Sequence, residues 1–133
     1  MMPSTDHTNH AMLRNSRLLM VKYKHMSKEL HKETCESCEL GRGHLMLNEI
    51  KEFSRQVPDW TWEEHERLKR KFEFKDFAEA LAFVNKIGEI AEKEGHHPDI
   101  KFGWGYVEVT LYTHSIGGLT ENDFILAAKI DRL

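Results

Sequence analysis

The sequence predicts an α+β two-layer sandwich, a four-stranded antiparallel sheet with helices on one face in the order α-β-β-α-β-β-α. Three observations carry that expectation. Apolar and polar residues alternate at period two from Leu68 to Phe74 and again from Val107 to Leu111. Each run neighbours a second short strand-like segment within hairpin reach. Between and around the pairs lie segments whose apolar residues recur every three or four positions, as on amphipathic helices.

Met46, Ile50, Phe53 and Val57 have helical spacing, and Pro58 and Asp59 close that segment as a first helix. Trp60 and Trp62, then Leu68, Arg70, Phe72 and Phe74, alternate with polar neighbours and form the first strand pair. Asp76 with Glu79 reads as a capping box. Phe77, Ala80, Leu81, Val84, Ile87, Gly88 and Ala91 follow as the stripe of a central helix. Gly95 is placed to end that helix in the left-handed conformation. Residues 100–104 and 107–113 make a second hairpin around Gly105, with Val107, Val109 and Leu111 towards the core. Glu108, Thr110, Tyr112 and, in continued register, His114 occupy the other face. Gly117 and Gly118 turn the chain, and Thr120 opens a last helix bearing Phe124, Ala127 and Ala128.

At 133 residues the chain is one domain's worth, divided into an N-terminal extension over 1–25 and a domain over 26–133. A net charge of −3 offers no general attraction to nucleic acid or anionic membranes. Apolar runs fall far short of the roughly 20 residues of a transmembrane helix. Two cysteines, Cys35 and Cys38, suit a reducing compartment, and a cytoplasmic location is expected. The extension lacks acidic residues between Asp6 and Glu29 and carries Arg14, Arg17, Lys22 and Lys24. It reads either as a poorly ordered terminus or as an organelle transit peptide.

Histidine chemistry stands out. His96 follows Gly95 at a helix C-terminus, whose unpaired carbonyls favour a protonated imidazole and suit a proton donor. Pro98 restricts His97 to extended backbone, so the adjacent imidazoles diverge. His114 and Asp123 complete the set. The plainer reading has the two histidines merely capping a helix. Zinc held by three histidines is another, although the spacing lacks a helical pair. Asp123, three residues after Thr120, fits a structural place in a capped first turn, while Glu92 is either a solvated glutamate or a group orienting a histidine. Cys35 and Cys38, flanked by His31 and His44, form half of a zinc pattern without its second pair.

Glu92-Lys93-Glu94-Gly95-His96-His97-Pro98, then Trp104, His114 and Asp123, resembles the signature of the pterin-4a-carbinolamine dehydratases, also known as dimerisation cofactors of a homeodomain transcription factor. Flanking runs agree. Pro58-Asp59-Trp60 resembles the family's entry to the first strand, and Phe72-Glu73-Phe74-Lys75-Asp76-Phe77 its strand-to-helix junction. Thr113-His114-Ser115-Ile116-Gly117-Gly118-Leu119-Thr120 resembles its last loop. The resemblance covers residues 45–133 closely and 26–44 loosely; Met46 stands where many relatives carry a capping threonine.

The resemblance implies dehydration of 4a-hydroxytetrahydropterin to quinonoid dihydropterin and water, without a metal or organic cofactor. It implies His96, His97 and His114 as catalytic residues, with His96 and His114 as the proton-transfer pair and His97 orienting the pterin. His96, His97, Pro98, Thr113, His114, Ser115 and Ile116 would contact substrate, with backbone groups around Pro98 and over 113–116 bonding the ring. A homodimer or homotetramer, and a functional link to an aromatic amino-acid hydroxylase, belong to the same expectation. The chief rival is a protein-binding module serving a transcription factor, followed by a chaperone-like relative for assembly of a photosynthetic enzyme. DNA binding by the sheet ranks last, because the chain offers no basic stripe.

Overall fold

The computed structural model describes residues 28–36, 43–63 and 66–133; the expected extension over 1–25 lies outside them. A 3-10 turn, Leu30–Lys32, precedes helix α1 (Leu47–Ser54), strands β1 (Thr61–Glu63) and β2 (Arg67–Glu73), and helix α2 (Phe77–Glu94). Strands β3 (Asp99–Gly103) and β4 (Tyr106–Leu111) and helix α3 (Glu121–Ile130) follow. The α+β order is the expected one.

All strand pairs are antiparallel, and the sheet order is β1-β2-β4-β3, so the two hairpins meet at β2 and β4. Register sets the core face. Leu68 lies opposite Trp62 and Leu111, Val109 opposite Arg70 and Ile100, and Val107 opposite Phe72 and Phe102. The other face is polar, with Glu108 opposite both Lys71 and Lys101, a favourable cross-strand arrangement of charge. Leu68, Val107, Val109 and Leu111 are fully buried together with Ile50 and Phe53 of α1, Ile87 of α2 and Phe124 and Leu126 of α3. Each such side chain contributes about 1.5–3 kcal/mol relative to exposure.

Local signals explain the helix ends. The Glu79 N–H donates to Asp76 Oδ1 at 2.9 Å, and Gly95 adopts φ 65 at the far end of α2, a conformation cheap for glycine. Helix α1 stops at Ser54, earlier than its apolar spacing suggests. Gln56 and Val57 continue it with tighter i to i−3 bonds that still bury Val57. Its start at Leu47 survives Met46, whose N–H donates to Glu49 Oε1 at 3.1 Å.

Two features bear on the site, the second a difference from the sequence reading. Helix α3 is buried on nearly every side, with residues 122–128 all buried. Strand β4 ends at Leu111, and Thr113 forms an isolated bridge with Gly118 instead of continuing the strand. Inward alternation persists to the buried Thr113, but His114 stands in the turn that follows.

Candidate active site

The C-terminus of α2 delivers His96. The N–H groups of Gly95 and His96 both donate to the Ala91 carbonyl, a tight closure that turns the chain without another helical step. His96 is 8% exposed, and its Nε2 lies 2.6 Å from Oδ1 of the fully buried Asp123. The second carboxylate oxygen, Oδ2, accepts from Thr113 Oγ1 at 2.8 Å and from the Thr120 N–H at 2.9 Å. Thr113 Oγ1 also lies 2.8 Å from Thr120 Oγ1.

Asp123 therefore does more than the capping expected of it. One oxygen secures the start of α3, and the other holds a histidine. A carboxylate accepts on both oxygens, so it takes this bond from a protonated Nε2 of His96 and leaves Nδ1 outside it. The available signal was chemical: a helix-capping acid uses one oxygen locally and leaves another for a distant donor.

His97 and His114 are open, at 60% and 73% side-chain exposure. His97 Nε2 is 3.5 Å from Glu92 Oε1 on the solvent side of α2, so Glu92 is at once solvated and beside a histidine. His114 packs edge-on to Tyr112 with centroids 4.6 Å apart, and its Nε2 comes within 4.0 Å of Asp99 Oδ2. Asp99 follows Pro98, which is half-buried. Residues 96–99 and 113–114 are thus tied at two points, through Asp123 and through the Asp99 and His114 contact.

The remaining expected residues divide. Thr113 is committed internally, since its N–H donates to the Gly118 carbonyl and its own carbonyl accepts from Ile116 and Gly117. Ser115 is exposed and Ile116 half-buried in the same turn. Trp104 lies at the opposite end of β3 from Asp99, exposed in the β3-to-β4 turn. A surface cleft along β2 and α2, bordered by Arg70, Phe72, Phe83 and Lys86, contains none of these residues.

Behind His96, Glu94 pairs with Lys129 at 3.1 Å and accepts the Cys35 N–H at 2.9 Å. Burial pushes its carboxyl up, but those two donors outweigh burial and hold it below the ordinary range. Cys35 Sγ lies 3.7 Å from the Asn122 carbonyl, and Cys38 is outside the described residues. Among the described residues no group of three or more histidine, cysteine or acidic side chains is placed to hold a metal.

Fold and site together define an α+β protein with a histidine and carboxylate pair buried where a helix end meets a helix start, flanked by two open histidines. Residues 44–133 match the family model described as pterin 4 alpha carbinolamine dehydratase. The chain belongs to that family. It is 50% identical over 105 residues to a Rubrobacter xylanophilus protein provisionally assigned as a pterin-4-alpha-carbinolamine dehydratase, across 79% of this chain and 98% of the relative. An Alkaliphilus metalliredigens protein with the same provisional assignment is 47% identical over 104 residues, covering 77% of this chain and 94% of its own. Among solved structures, a transcriptional coactivator/pterin dehydratase from Brucella melitensis superposes with a TM-score of 0.64 at 36% identity, over 68% of this chain and 97% of that one.

Proposed function

We propose that the protein dehydrates 4a-hydroxytetrahydropterin, with His96 and His114 as the proton-transfer pair and His97 orienting the pterin. The observation that carries this reading is the bond of His96 to the buried Asp123 carboxylate, which Thr113 shares, so that His96 and His114 stand on two segments joined through one acid, with His114 also beside Asp99. The hydroxyl on C4a leaves as water once protonated, and the neighbouring ring nitrogen supplies the electron pair as its proton departs. One imidazole gives a proton while another accepts one, so no net charge is created. Positioned groups of this kind contribute about 10²–10⁴-fold.

His96 suits a fixed partner, with its Nε2 held by Asp123, and His114 suits an adjustable one at the surface. The reading extends to recycling of the tetrahydropterin used by aromatic amino-acid hydroxylases, whose turnover supplies the carbinolamine.

The test is a dehydratase assay on freshly generated carbinolamine. The unaltered chain is expected to exceed the spontaneous rate, and His96→Ala and His114→Ala each to lose most of the excess. A rate equal to background overturns the activity. Full activity in both variants overturns the assignment of the histidines.

A further inference from the structure

Ahead of the family-matched region, residues 28–36 lie across the seam from which His96 and Asp123 are delivered. The Cys35 N–H donates to Glu94 Oε2 at 2.9 Å, two residues before His96. The next residue grips the other side: the Glu36 N–H donates to Asn122 Oδ1 at 3.0 Å, and Asn122 Nδ2 donates back to the Glu36 carbonyl at 2.6 Å. Asn122 adjoins Asp123 in the first turn of α3. Lys28 pairs with Glu121 in that same turn. Leu30 is fully buried, with its N–H on Gln56 Oε1 at 2.9 Å, while Gln56 Nε2 donates to the Lys28 carbonyl at 2.7 Å.

Three successive residues of α3 are thereby held from outside the helix: Glu121 and Asn122 by the strap, Asp123 by the site itself. The end of α2 is held by the strap through Glu94, which also reaches α3 through Lys129. Helix termini are where backbone groups lack intrahelical partners and fray. A bond between one helix's end and another's start keeps its geometry only if both termini are fixed. Misplacement of about 1 Å can cost on the order of 10²-fold in rate.

We propose that Asn122 and Glu94 are positioning residues, acting through residues 35–36 to set the separation of His96 and Asp123. This rests on the histidine reading of the proposed function. The strap formed by residues 28–36 works as a clamp: the backbone of two adjacent residues, Cys35 and Glu36, grips two side chains on elements that are remote in sequence.

The test uses the full chain with Asn122→Ala, Glu94→Ala and Glu94→Gln. Asn122→Ala is expected to lower kcat about 10-fold with KM little changed, and to have no further effect on kcat once Asp123→Asn is present. Glu94→Gln, which keeps an acceptor for the Cys35 N–H, is expected to restore most of the kcat lost in Glu94→Ala. In NMR, the His96 Nε2–H signal should be protected from solvent exchange in the unaltered chain and exchange rapidly in Asn122→Ala well below its unfolding midpoint. Glu94→Ala supplies the same measurements if Asn122→Ala does not fold. Unchanged protection of that proton, or an equal fractional loss of kcat in the Asp123→Asn background, overturns the proposal. Absence of dehydratase activity in the unaltered chain together with a lost His96 signal in Asn122→Ala would overturn the activity and leave the clamp standing.

Discussion

His96 Nε2 and Asp123 Oδ1 lie 2.6 Å apart across 27 positions of sequence, and this bond distinguishes the two nitrogens of the imidazole. The carboxylate accepts on both oxygens, so it favours the proton on Nε2 and leaves Nδ1 outside the bond.

Asp123→Asn should invert that arrangement without unfolding the chain. Thr113 Oγ1 and the Thr120 N–H both donate to Oδ2, so an amide would keep its oxygen there and turn its NH₂ towards His96. Nε2 must then accept and Nδ1 carry the proton. Dehydratase kcat is expected to fall on the order of 10²-fold, and imidazole ¹⁵N shifts should report the exchanged tautomer. An unchanged tautomer would show that Asp123 does not select it.

Met46→Thr should stabilise the protein. Met46 is 62% exposed and already gives its N–H to Glu49. A threonine would add the reciprocal bond to the first turn of α1 and complete a capping box. The expected gain is about 0.5–2 kcal/mol in urea denaturation, and no gain would mean that the turn is already satisfied.

Leu30→Ala should cost about 2–5 kcal/mol, as for other buried leucines, although Leu30 precedes the family-matched residues. It is fully buried and joins the same core cluster as Phe124 and Ile130. A loss below about 0.5 kcal/mol, the usual range for surface changes, would show that the 3-10 turn is peripheral.

Acid should weaken the fold partly through Glu94. Its folded carboxyl is held below its ordinary value of 4.5, so the unfolded chain takes up the proton first as pH falls. The stabilisation is therefore complete above that value and is lost as pH drops through the folded value. In thermal melts from pH 7 to pH 3, Glu94→Gln should start less stable and decline less steeply, so the two curves converge. A constant separation at all pH values would contradict the coupling.

Alternation and helical spacing were enough to place four strands and three helices, because a strand or helix with one buried face writes that face into a few neighbouring residues. Asp76 with Glu79, Gly95, and Thr120 with Asp123 were legible for the same reason, since each satisfies backbone groups within one turn. The group of histidines was visible as chemistry and as a family resemblance. Its internal wiring was not. That Asp123 reaches back to His96, that the Thr113 hydroxyl donates to Asp123, and that Trp104 ends a strand's length from Asp99 depend on how separate elements pack.

By itself, then, the sequence determined the elements, their caps and the residue types available for proton transfer, all governed by hydrogen bonding and burial over a few positions. The tertiary structure decided the strand order β1-β2-β4-β3, the burial of α3 on nearly all sides, and the bond from Glu36 to Asn122 across 86 positions. Such long-range pairings leave no periodic trace in the chain. They exist only because closing the core brings two helix termini and a distant strap into contact, where each buried polar group must find a partner.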